Sequence, residues 1–120
     1  MQTLDQDRAK YAWEKVQNQS GDYRNLVKSA PAIVMSNGLM QTMAFLESKG
    51  KNHHIALSKH ITGWLMKRGL APENHKFDAV MQCLHDMEAL DYQRATEEAL
   101  AILRWLRQLV DAVRDRSAGL

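Results

Sequence analysis

The sequence predicts an all-α protein: a compact bundle of about five to six helices forming one domain over residues 1–120. Three observations carry this. Apolar residues recur with a helical period along almost the whole chain. Proline occurs only twice, and the six glycines mostly punctuate the periodic runs. At 120 residues, with no internal repeat or low-complexity stretch, the chain suits one modest core.

The elements follow in order. Thr3 and Gln6 stand at capping-box spacing, so the first helix starts there and runs to about Asn18, where Ser20-Gly21 ends it. Asp22 can cap a second helix carrying Tyr23, Leu26 and Val27, and Pro31 then fits the first turn of a third, apolar helix ending near Leu46. Lys49-Gly50-Lys51-Asn52 breaks the chain. A fourth helix spans about His53 to Arg68 and stops at Gly69, with Ala71-Pro72-Glu73-Asn74 as a loop. A fifth covers about Lys76 to Met87. The last runs from near Asp91 to Arg114, its core stripe being Ala99, Ile102, Leu103, Leu106, Leu109, Val110 and Val113.

The run from Ala30 to Leu46 is apolar on nearly all sides, which predicts a helix surrounded by protein. Met35, Leu39, Met43 and Leu46 make its main stripe. Asn37 and Gln41, four residues apart, carry amides that either hold this helix to its neighbours or face a partner.

Little here speaks for chemistry. No Glu-x-x-His, His-x-x-x-His or His-Glu-x-x-His occurs, the spacings that would let histidine ligands on one helix face converge on one ion. Glycine-rich phosphate loops and a serine in a nucleophile elbow are also absent, which argues against an independent enzyme, a metal site or a cofactor. The lone Cys83 reads as a small buried hydrophobe. No apolar stretch approaches the roughly 20 residues that span a bilayer, and the amino terminus lacks a signal pattern, so a cytoplasmic protein without membrane contact is expected.

Charge is the better lead. The net charge is only +2, but up to Pro72 ten Lys/Arg face five Asp/Glu, and the remainder is correspondingly acidic. Between Glu47 and Glu73 there is no carboxylate, while Lys49, Lys51, Lys59, Lys67 and Arg68 are joined by His53, His54 and His60. On the first helix Ala9, Ala12, Trp13 and Val16 form the expected buried stripe, leaving Leu4, Arg8, Tyr11 and Lys15 on the opposite side. On the fourth, Leu57, Ile61, Trp64 and Leu65 point inward, and His53, Ala56, Lys59, His60, Gly63 and Lys67 share an outer sector. Gly63 in a helix interior costs about 1 kcal/mol and asks for a packing or contact reason. On the last helix Arg104, Arg107, Asp111 and Arg114 form a strip that can pair within itself.

Three segments resemble one known family: Asn37-Gly38-Leu39-Met40-Gln41-Thr42-Met43-Ala44-Phe45-Leu46 after its Ala-Pro stretch, Gln2 to Val16, and Tyr92 to Leu106. Together they resemble the small all-helical subunit of type III-B CRISPR RNA-guided effector (Cmr) complexes. The resemblance implies a non-catalytic subunit that stacks in several copies as an inner filament on the backbone subunits, beside guide and target RNA. The implied partners are the other subunits, further copies of the chain, CRISPR RNA and target RNA. With the outward basic stripes it points to Arg8, Lys15, Lys28, Lys59, Lys67 and Arg68 as nucleic-acid contacts, and to Asn37, Gln41 and Trp105 as subunit contacts. The residues alone leave open a helix-turn-helix DNA-binding regulator, for which the fourth helix lacks a base-reading set, and a protein adaptor with its groove at the apolar helix and Trp105.

Overall fold

In a computed structural model that describes residues 1–118, with side chains through Val113, six helices pack as one bundle. They are α1 (Leu4–Lys15), α2 (Gly21–Asn37), α3 (Leu39–Lys49), α4 (Asn52–Lys67), α5 (Phe77–Asp86) and α6 (Ala89–Ala118). The long α6 is the central post, against which α1, α2 and α4 pack, and α3 closes the bundle between α2 and α4. Its predicted stripe holds: Ala99, Ile102, Leu103, Leu106 and Val110 are buried, and Leu109 and Val113 lie at the edge.

Local signals set several ends as expected. The Thr3 hydroxyl accepts from the Gln6 N–H at 3.1 Å, and the Gln6 side chain accepts from the Thr3 N–H at 2.7 Å. Gly69, at φ +71°, ends α4, and the Leu70 N–H reaches back to the Leu65 carbonyl at 2.8 Å. The cap of α2 is Ser20 rather than Asp22, because the Ser20 hydroxyl accepts from the Tyr23 N–H at 3.1 Å.

The expected break at Pro31 is corrected. α2 runs through Pro31 to Asn37, since Val27, Ala30, Pro31 and Val34 form one buried stripe whose packing outweighs the missing N–H. The chain turns instead at Gly38, at φ +87° and ψ 164°, a conformation that side chains disfavour. Tyr92 of α6 secures the corner, its hydroxyl accepting from the Met40 N–H at 3.0 Å. Because the break lies after Met35, that residue is not in register with Leu39, Met43 and Leu46, and it is 72% exposed where the sequence predicted core. Gly38→Ala is expected to lower stability by about 1–3 kcal/mol through backbone strain alone, read as a thermal melting shift.

Candidate nucleic-acid interface

On α1 the predicted faces hold at Ala12 and Val16 but Tyr11 and Trp13 are exchanged. Tyr11 is buried at 5% exposure and Trp13 stands 40% exposed, although Ala12 and Val16 are buried as expected. The reason lies on α4. The Tyr11 ring packs on Trp64 with centroids 5.4 Å apart, and its hydroxyl donates to the His60 carbonyl at 2.7 Å. Gly63 makes room for this, since a Cβ there would meet the Tyr11 hydroxyl at 2.5 Å but the ring carbon at 3.6 Å. Gly63→Ala is therefore expected to cost about 1–3 kcal/mol in the native chain, and far less in a Tyr11→Phe background. A double-mutant cycle by chemical denaturation measures that difference.

Above this contact α1 and α4 leave an open groove of about 710 Å³, with Lys15 on one wall, Lys59 and Lys67 on the other, and Glu73 and His75 from the following loop at its rim. Two ammonium groups converge over the Tyr11 ring, Lys15 Nζ at 5.2 Å from its centroid and Lys67 Nζ at 6.0 Å. A second cleft of about 410 Å³ adjoins it on the same face and brings in Lys10 and Arg68 beside Asp7 and Glu14. Three of the six basic residues singled out by sequence thus share one groove, and a fourth, Arg68, borders it.

The other two are engaged elsewhere. Arg8 forms a two-point ion pair with Glu98 of α6, Nη2 to Oε2 at 2.6 Å and Nε to Oε1 at 3.3 Å. Glu98 also accepts from the Trp64 indole at 2.9 Å and lies 3.7 Å from Arg68 Nε. Burial alone would raise the pKa of Glu98, but the hydrogen bonds from Arg8 and Trp64 and the charges of Arg8 and Arg68 outweigh it and hold the carboxyl below its usual range. Lys28 pairs with Asp111 at 3.2 Å, and Arg24 lies 4.0 Å from the same carboxylate. Asp111 therefore ties α2 to α6 instead of pairing along its own helix with Arg107, and the Arg114 side chain lies outside the described residues.

Of the expected subunit contacts, Asn37 and Gln41 are both exposed, so neither amide holds the helix to a buried neighbour. Trp105 is half-buried at a cleft of about 400 Å³, its indole N–H donating to Asp5 at 2.9 Å. Cys83, expected in the core, is partly exposed. Helical spacing places His60 on the outer sector of α4 with Lys59 and Lys67 but gives no sign of its Tyr23 partner or of Glu98 as a hub, since those contacts come from helices far apart in the chain. Among the described residues no group of three or more His, Cys, Asp or Glu could hold a metal ion, and no helix is long and apolar enough to cross a membrane.

The described residues form a single small helical bundle with a lysine-lined groove between α1 and α4. The family model described as CRISPR-associated protein (Cas_Cmr5) matches residues 4–113. "CRISPR system Cmr subunit Cmr5" of Thermus thermophilus is 31% identical over 118 residues, covering 94% of this chain and 97% of that protein. The subunit of the same name from Thermotoga maritima is 31% identical over 116 residues, covering 90% and 82%. The crystal structure of a CRISPR-associated Cmr5 family protein from Thermus thermophilus superposes with a TM-score of 0.78 at 30% identity, covering 94% of this chain and 98% of that one. The chain belongs to the Cmr5 family of CRISPR-associated proteins.

Proposed function

We propose that this protein is the Cmr5 subunit of a cytoplasmic type III-B, RNA-guided effector complex, and that it holds RNA rather than cutting it. The observation that carries the reading is the convergence of Lys15, Lys59 and Lys67 on one groove. With Lys10 beside it they bring four ammonium groups to one face, among Asp7, Glu14 and Glu73, while Arg68 at its border faces Glu98. Such a groove follows a phosphate backbone without reading sequence, which in a guided complex is left to base pairing. Arg8 and Lys28 serve the fold in this reading, because their charges are already met by Glu98 and Asp111.

Contacts to the backbone subunits and to further copies fall on a second surface. From Ser29 to Leu46 the chain carries no charged residue, yet Ala32, Met35, Ser36, Asn37 and Gln41 are exposed. Depletion of charge with apolar exposure marks the core of a protein interface, and Asn37 and Gln41 supply its hydrogen bonds. Repeated copies stacked as a filament use a heterologous contact that does not close. The test is reversal of Lys59 and Lys67 in the assembled complex, with retained target RNA as the readout.

A further inference from the structure

One polar group at the floor of the groove is left unused by the charge argument. His60 lines the groove, and the Tyr23 hydroxyl lies 2.6 Å from its Nδ1. Tyr23 is fully buried, and its hydroxyl has no other hydrogen-bond partner among the described residues, so it donates to Nδ1. Burial, and then the neighbouring Tyr11, push the Tyr23 pKa up, which keeps that proton on the phenol. With Nδ1 an acceptor, the ring proton sits on Nε2. The enclosed side-chain atoms that lack a partner among the described residues are Arg24 Nε, His54 Nδ1, Arg68 Nε and Asp111 Oδ1. His60 Nε2 is not one of them and makes no hydrogen bond among the described residues, so it is not enclosed, on a residue that lines the groove. Its direction is set at the ring by Tyr23.

The surroundings decide what this donor meets. Burial, and then the Lys15 charge, lower the His60 pKa to about 4, so near neutral pH it adds no attraction for phosphate. Lys15, Lys59 and Lys67 supply that attraction from flexible, charged ends. Glu73 at the same groove repels a phosphate but accepts from a hydroxyl. An acceptor that is uncharged, that also donates, and that lies between successive phosphates is the ribose 2′-hydroxyl. We propose that His60 Nε2–H donates to a ribose 2′-hydroxyl seated in the α1–α4 groove, so that the groove selects RNA over DNA of the same sequence. This rests on the reading of the groove as a nucleic-acid contact.

The test is an NMR titration of the full chain, with ¹⁵N-labelled histidine, against a short oligouridine and its deoxyuridine counterpart at low ionic strength. The free protein is expected to show the Nε2–H tautomer at His60, and that resonance moves with RNA and not with DNA. RNA binds about fivefold more tightly, the worth of one neutral hydrogen bond. The double variant His60→Phe/Tyr23→Phe removes both hydrogen-bond partners together, leaves no orphan, and is expected to bind the two strands equally. Equal affinity of the native chain for both strands, or a preference that survives the double variant, overturns the inference. Lys59→Glu/Lys67→Glu separates the two levels: loss of binding to both strands supports the groove itself. Unchanged binding, or no binding by the native chain at millimolar strand concentration, overturns the groove reading and this inference with it.

Discussion

Glu98→Ala is expected to lower stability by about 3–5 kcal/mol, among the largest effects any single substitution in this chain should produce. Glu98 is 13% exposed and accepts hydrogen bonds from Arg8 of α1 and Trp64 of α4, with the Arg68 guanidinium 3.7 Å away at the end of α4. Alanine leaves the Arg8 guanidinium, itself only 19% exposed, beside an indole N–H with no acceptor. The urea midpoint should fall with little change in slope, because the compactness of the native state is not altered. Glu98→Gln keeps an acceptor for Trp64 and should lose less. The pH dependence has a defined sign. A carboxyl whose folded pKa is depressed contributes stability that is fully present above its unfolded value, near 4.3, and lost as pH falls through the folded value. The native chain should therefore lose this contribution in acid, and Glu98→Gln should show none of it.

Lys59→Glu/Lys67→Glu carries the second large effect, on function more than on stability. Both residues are exposed on α4 and neither takes part in an ion pair among the described residues, so the variant should lose only about 1–2 kcal/mol, from the Lys67 contact with the Tyr11 ring and the last turn of α4. Target RNA retained by the assembled complex should fall at least tenfold at moderate salt. The slope of log affinity against log salt should shrink by about 0.7 for each phosphate contact removed from a single strand. Reversing Arg8 should give the opposite pattern, a large stability loss that precedes any RNA effect, because Arg8 sits in the Glu98 network.

What the sequence disclosed and what it withheld divide by range. The Thr3–Gln6 cap, the stop at Gly69 and the stripe of α6 depend on residues within a few turns of one another, and all three were legible. The inversion of Tyr11 and Trp13 depends on Gly63, fifty-two positions from Tyr11, and helical projection cannot weigh a hydroxyl against a partner it does not see. Pro31 suits the first turn of a helix, so the sequence alone favours a start there. The burial of Val27, Ala30 and Val34 on both sides of it carried the helix through to Gly38. The basic residues were found one helix at a time. Only the packing of α1 on α4 shows that Lys15, Lys59 and Lys67 share a groove while Arg8 and Lys28 are bound to carboxylates of α6. Glu98 was passed over for the same reason, since its role exists only between helices.

The central claim separates two surfaces of one small bundle, an RNA-facing groove between α1 and α4 and a charge-free protein-facing surface on α2 and α3. Site-specific photocrosslinking in the assembled, target-bound complex tests this most directly, with the photoreactive group placed at Met66 in the groove or at Met35 on the other surface. The account predicts RNA adducts from position 66 and protein adducts from position 35. Protein adducts alone from position 66, or RNA adducts from position 35, would contradict it.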